Sequence, residues 1–524
     1  MPTTLTKPIA QLLEACQTPT PETHKETAIH VDELVSRAAF LYEKIRNAVD
    51  YREDHLLRRG AIERILKRLL VRGAKSETVA KPLVLELIRA RYLPNDTLPE
   101  RIISEVGMIL ERYIALWNAA PAEVQTNAEL FSWMLGIAAR EVEEAVAPSP
   151  HIDKLVEAMY RSLVHHLKLP PRMTDERERN TQLFIAIHRA LVQSDLPTIR
   201  YKLFTIYAPG WKTTRPETIG TLGWNIASIA QAIERDLTHP IGETFTRHLK
   251  KDAAAFTILH DIIEEKPNEA TAILTNPSTL EDRVRKACQV RYKRAKEKLG
   301  RSAVRSIIFI FFTKMLLAII LEIPYEIYLM KAFNPLPLLI NVTIPPFLLF
   351  LVATTTKVPT KKNTEAIIAA VRDHVEEGHT RSPLEIKRFS KRIVSSIILS
   401  IAYLTLYGVT FGFIVWGLRT LHFNIISGAL FILFLSLVSF FAIRIRQGVR
   451  RMVVIERKEN IFTFLFDLFT IPIIRAGRWI SIKSSNINIF VFILDFLIET
   501  PFKSLLDVTE EFTAFIKEKK EEVL

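Results

Sequence analysis

Cysteine is nearly absent from this chain. Cys16 and Cys288 are the only two in 524 residues, too few and too distant in sequence for a disulfide framework or a thiolate metal site. The 16 glycines never fall into a phosphate-binding pattern: there is no Gly-x-x-x-x-Gly-Lys-Ser/Thr and no Gly-x-Gly-x-x-Gly. His-Glu-x-x-His and Gly-x-Ser-x-Gly are missing as well. These absences argue against an ATP-driven pump and against an enzyme, and no cofactor is expected. Residues 1–22 lack a basic stretch followed by an apolar core, so no secretory signal is expected there. Strand alternation is rare and no Asn-Gly hairpin signal occurs.

Charge and long apolar runs are present, but in different halves. Residues 1–300 are rich in charge, whereas uncharged runs of about 20 residues begin only after Arg305. Part of the net charge of +13 is concentrated just before the first such run. Arg283, Arg285, Lys286, Arg291, Lys293, Arg294, Lys296, Lys298, Arg301 and Arg305 face a single acid there, Glu297. Basic residues beside an apolar span mark its cytoplasmic end and attract anionic lipid headgroups, by about 1 kcal/mol per charge. Tyr292 is the one aromatic in this run, so the stacking residues of a single-strand platform are missing and nucleic acid is not the expected partner.

The expected fold is all-α: a cytosolic multi-helix domain over 1–300, then a polytopic helical membrane domain. In the first part apolar residues recur at helical spacing. One stripe is Val31, Leu34, Val35, Ala38, Leu41, Tyr42 and Ile45. A second is Ile62, Ile65, Leu66 and Leu69, and a third is Ile102, Val106, Ile109, Leu110, Tyr113 and Trp117. Prolines and glycines divide the region into about ten helices with short connections. From Ser278 onward no breaker precedes Gly300, so that helix is expected to run almost directly into the first span.

Four spans are expected within 301–458: residues 306–327, 332–356, 393–418 and 424–443. The second holds Pro335, Pro337, Pro345 and Pro346 and is expected to be broken or kinked. The segments before the first span, between the second and third (357–392) and after the fourth (444–458) are all basic. An even number of spans with both termini cytoplasmic places all three inside, in a plasma or inner membrane. The loop 357–392 reads as helical, with Asn363 or Thr364 capping a helix that ends at Gly378. Ser382-Pro383-Leu384-Glu385 then reads as the capped start of a second helix. In 459–524, two shorter apolar stretches, 461–474 and 487–498, carry Asp467 and Asp495. Arg475, Arg478 and Trp479 lie between them, which suits interfacial or re-entrant helices. A charged helix from Ser504 closes the chain.

Ionisable residues inside a span are costly and often functional. Lys314, Glu322 and Glu326 interrupt the first span. The two acids are four apart and share a helix face, and Asn341 stands opposite in the second span. These four form the candidate intramembrane polar site, weighed against a first span partly buried in protein with Lys314 snorkelling to the interface. Gly408 and Gly412 form a Gly-x-x-x-Gly that lets another helix approach, within the chain or in a homo-oligomer. His165 and His166 are adjacent and cannot share a helix face. His260, Asp261, Glu264 and Glu265 read as a solvated helix face, not a metal site.

Two functions follow. The leading one is a membrane-anchored scaffold whose helical domain binds an unknown protein partner. The other is a small channel or transporter using the polar site between the first and second spans. Polar groups converging inside the apolar layer would favour the second.

Overall fold

The computed structural model describes residues 4–17, 28–32, 36, 40, 43, 54–71, 76–168, 175–215, 218–330, 335–356, 359–377, 384–385, 393–450, 452–455 and 461–486. The described chain is all-helical apart from one two-residue strand pairing and isolated bridges. It divides into two compact units, one centred on Glu14–Leu249 and the other on Lys250–Asn488 with the first residues of the chain.

In the Glu14–Leu249 unit the second and third apolar stripes become helices Asp54–Val71 and Arg101–Asn118. Ile62, Ile65 and Leu66 of one, and Ile102, Val106, Ile109, Leu110 and Tyr113 of the other, are buried in a shared core. Most of the first stripe lies outside the described residues. Helix Ala128–Val146 starts where the Asn127 side chain accepts from the N–H groups of Glu129 and Leu130, both at 3.0 Å. Such a cap contributes about 1 kcal/mol. Helix Leu196–Tyr207 begins on an Asp195 cap with a proline in its first turn. It carries Tyr201 and Phe204 into the core beside Trp211. Gly223 permits a close crossing: a Cβ there would stand 2.7 Å from the Leu116 carbonyl oxygen.

Two buried polar groups anchor this unit. Glu141 accepts from the Tyr113 hydroxyl, the Trp211 indole N–H and the Arg112 guanidinium, each at 2.7 Å. His188 opens a π-helical turn, His188–Val192, with Nδ1 3.1 Å from Ser194 Oγ. Burial, then the positive charges of Lys202 and Arg140, lower its pKa from 6.5 to about 3. The unfolded chain therefore takes up a proton near 6.5 that the folded chain refuses until about 3. This contribution is complete above the upper value and is lost as pH falls through the window, by about 1.4 kcal/mol per pH unit. Denaturant unfolding as a function of pH should show this slope, and His188→Gln should flatten it. An unchanged slope in the variant would place the acid sensitivity elsewhere.

The loop residues Leu384 and Glu385 differ from the sequence expectation. They are extended and pair in parallel with Leu167 and Lys168, so Glu385 is not a capping-box acid. A partner strand more than 200 residues away supplies the hydrogen bonds that a helical turn would otherwise have made locally.

In the second unit, Asn276 caps helix Pro277–Leu317, with a proline in the first turn. The helix continues through π-helical turns Ala318–Glu322 and Tyr325–Met330, without a linker before the apolar run. Among the described residues, four helices are long and apolar enough to cross a membrane. They lie in Pro277–Tyr328, Pro335–Thr355, Ser400–Thr420 and Ile425–Arg446. The first, second and fourth share a core of Ile310, Leu349, Phe434, Val438 and Ala442. Their outer faces expose Phe312, Ile320, Phe347 and Phe350, and the third exposes Ile401, Leu404 and Phe413.

The three basic segments meet at one end of this bundle. Asn363, in helix Lys361–Val375, donates to Tyr292 Oη at 2.9 Å and to the Met452 carbonyl at 2.7 Å. Its Oδ1 accepts from the N–H groups of Val454 and Ile455. The helix ends at Val375, three residues before Gly378. There the chain turns extended and Glu376 bridges to Leu5, with the Glu377 N–H on the Thr4 carbonyl. Buried His374 is fixed by Asp252 at 2.9 Å.

Candidate functional site

Three chain segments converge at the end of the apolar bundle remote from Arg305. Helix one brings Glu322 and Glu326 there, each on a π-helical turn. The Ile323 N–H reaches back five residues to the Ala318 carbonyl. Such turns rotate the following side chains and recur at functional sites. Helix two contributes Asn341, six residues after Pro335. Pro345 has no N–H to give the carbonyl four residues earlier, which is that of Asn341. Helix four contributes its cap: Asn424 Oδ1 accepts the Ser427 N–H at 2.7 Å. The preceding connection is short because His422 takes a left-handed φ of 59°.

The side chains form one linked cluster. Asn341 Nδ2 donates to both Glu322 oxygens, at 3.0 and 3.2 Å, and lies 3.2 Å from the Ser427 carbonyl. Asn424 Nδ2 donates to Glu326 Oε1 at 2.9 Å. Glu322 is 1% exposed, Glu326 4% and Asn341 0%. Lys314, also 1% exposed, sits two turns deeper. Its ammonium lies 4.8 Å from the Phe434 ring centroid and 5.7 Å from that of Phe431. Its Nζ has no hydrogen-bond partner, nor have Asn341 Oδ1 and the hydroxyls of Ser427 and Ser436. Glu322 is the charge that acts on Lys314. The four residues singled out from sequence thus lie in one place, and Asn424 and Ser427 join them. Asn424 opens the fourth apolar stretch, where an uncharged polar residue does not stand out, and Ser427 resembles any small wall residue, so only the fold reveals their role.

The other candidates are distributed differently. Gly408 and Gly412 have nothing within 4 Å of an added Cβ, so no described helix packs on that face. Close approach occurs instead at Gly477, where a Cβ would run into the Ser436 carbonyl oxygen. The stretch 461–474 is part of a longer helix, Ile461–Asn486, because neither Pro472 nor the Arg475–Arg478 segment interrupts it. Arg475 stacks 4.4 Å from the Tyr403 ring centroid, Arg478 and Trp479 are exposed, and Asp467 acts on Arg446. Asp495 lies outside the described residues.

Of the ten basic residues that precede the apolar part of helix one, Lys293, Arg294, Lys296, Lys298, Arg301 and Arg305 are exposed. Arg285 and Lys286 pair with Glu281 and Asp282 one turn away, and Arg283 is half-buried. Arg291 binds both oxygens of Asp261. His260, Asp261 and Glu264 place ligand atoms within 4.8 Å of one another, and Arg291 already occupies the central carboxylate.

No protein-family model matches the chain, and neither curated proteins nor solved structures include a significant match to it.

Proposed function

We propose that this protein is a small membrane transporter or channel that binds a cation at the Glu322–Asn341–Asn424–Glu326 cluster. The observation that carries the reading is a Glu322 carboxylate 1% exposed and hydrogen-bonded across helices to Asn341. Buried polar atoms surround it, and Lys314 and Asn341 keep donors and an acceptor unpaired. In hydrocarbon each unmatched polar group costs several kcal/mol, and such groups are retained where an ion or water passes. The end of the bundle gathered by Asn363 is the cytoplasmic one in this reading, since all three basic segments reach it. The exposed basic residues from Lys293 to Arg305 then meet anionic headgroups of a plasma or inner membrane. Lys314, about 14 Å along the helix from Arg305 at 1.5 Å per residue, falls near the middle of a hydrocarbon layer about 30 Å thick. Glu322 falls toward the far side.

Purified full-length protein in liposomes, challenged with proton, sodium or potassium gradients, tests this. Wild type should pass one of these ions, and Glu322→Gln should reduce the flux to the leak of protein-free liposomes. Equal flux in variant and wild type would overturn the assignment.

The scaffold reading keeps one observation of its own. Trp224, on short helix Gly220–Trp224, is 68% exposed, as protein-contact aromatics are. Cross-linking that recovers a defined protein partner, lost in Trp224→Ala, would support it.

A further inference from the structure

We propose that the ion handled by this cluster is a proton, held on the Glu322 carboxyl and exchanged with Lys314. The inference rests on the transport reading above and narrows it to one substrate.

The donor set argues for it. A metal cation must exchange its hydration shell for several oxygen ligands. Here the carboxylates face N–H groups: both Glu322 oxygens take the Asn341 amide, and Glu326 takes the Asn424 amide. The Ser427 carbonyl and Asn424 Oδ1 are already accepting. Asn341 Oδ1 and the Ser427 hydroxyl are unpaired oxygens beside them; a proton needs one carboxylate lone pair, whereas a metal ion needs most of these oxygens at once. The deeper path argues the same way. Any cation moving inward from Glu322 meets Lys314, buried between Phe431 and Phe434 with no hydrogen-bond acceptor. A metal ion is repelled by that ammonium. A proton passes by transfer.

The step conserves atoms and charge. Lys314 Nζ has no hydrogen-bond partner, so the exchange runs through intervening water: one Nζ–H bond breaks, the water passes on one proton for the one it gains, and an O–H bond forms on Glu322, so ammonium and carboxylate become amine and carboxylic acid. The reverse step restores the pair. The neutral pair is the form that a low-dielectric layer tolerates best. The charged groups of the cluster are Lys314, Glu322 and Glu326, all on helix one. Helices two and four present neutral Asn341, Asn424 and Ser427, while Arg419 and His422, in the turn before Asn424, are exposed.

Two measurements on the full chain separate this from the broader reading. Infrared difference spectra between acidic and neutral buffers should show a protonated-carboxyl C=O band that Glu322→Gln removes. In liposomes, a pH-sensitive dye should report proton uptake under an imposed gradient. Lys314→Arg, whose guanidinium does not deprotonate, should lower that uptake about a hundredfold or more. Sodium or potassium flux with no Glu322-dependent band would overturn the proton assignment and leave a cation transporter. A Glu322-dependent band with no flux of any ion would keep the proton site and remove the transport reading. Wild-type proton uptake in Lys314→Arg would overturn the exchange between the two residues.

Discussion

Glu141→Ala should destabilise the Glu14–Leu249 unit by about 3–5 kcal/mol, the usual cost of stranding a buried charge. The carboxylate is buried and receives three donors from three places in the chain: Tyr113, Trp211 and Arg112. Arg112 also donates to the Lys212 carbonyl at 3.0 Å and lies 5.8 Å from the Trp211 ring centroid. Its loss would leave a guanidinium, a phenol and an indole N–H facing a cavity. Burial and then the neighbouring Glu141 charge already hold the Tyr113 hydroxyl well above the usual tyrosine range, so the phenol remains a donor throughout the working pH range. Glu141→Gln retains one carbonyl acceptor but turns an NH2 group toward donors, which should cost less, about 1–3 kcal/mol. Denaturant unfolding of the detergent-solubilised chain measures both. A Glu141→Ala variant that unfolds with the wild type would show the network to be dispensable.

That network also marks where sequence reading stops. Glu141 lies in the run Arg140-Glu-Val-Glu-Glu144, which in isolation reads as a solvated helix face. Tyr113 and Trp211, the partners that make it a core residue, are 28 and 70 positions away, and no local period announces them. The apolar helices were legible because hydrocarbon imposes a composition over about 20 consecutive residues. Lys314, Glu322, Glu326 and Asn341 were legible for the complementary reason, as polar interruptions of such runs. Their convergence was not, because it depends on π-helical turns and on the cap at Asn424. Arg291 sits in a basic run, and its partner Asp261, 30 residues earlier, is invisible at that scale. Gly-x-x-x-Gly spacing pointed to Gly408 and Gly412, whereas the contact that needs a glycine is at Gly477, set by how two helices cross.

Gly477→Leu should therefore be strongly disruptive in the unit that holds the four apolar helices. An added Cβ at Gly477 would run into the Ser436 carbonyl oxygen and stand 2.6 Å from its carbon and 3.0 Å from Phe440 Cβ. These are backbone and rigid atoms of helix Ile425–Arg450, so no rotamer change relieves the clash and the two helices must part. Overpacking of this kind costs about 1–3 kcal/mol or more, and Gly477→Ala should already show part of it. The displacement also reaches the polar cluster. Helix Ile425–Arg450 starts at the Asn424 cap that donates to Glu326, and its Ser427 carbonyl accepts from Asn341. Moving that helix loosens both of these contacts, one to Glu326 and one to Asn341. The expected result is a lower melting temperature in detergent together with reduced ion flux in liposomes. Leucine at Gly408 or Gly412, where an added Cβ has nothing within 4 Å, should leave both unchanged. If Gly477→Leu melts with the wild type while Gly408→Leu does not, helix Ile461–Asn486 is not seated on helix four, and the wall behind Ser436 must be built by something else.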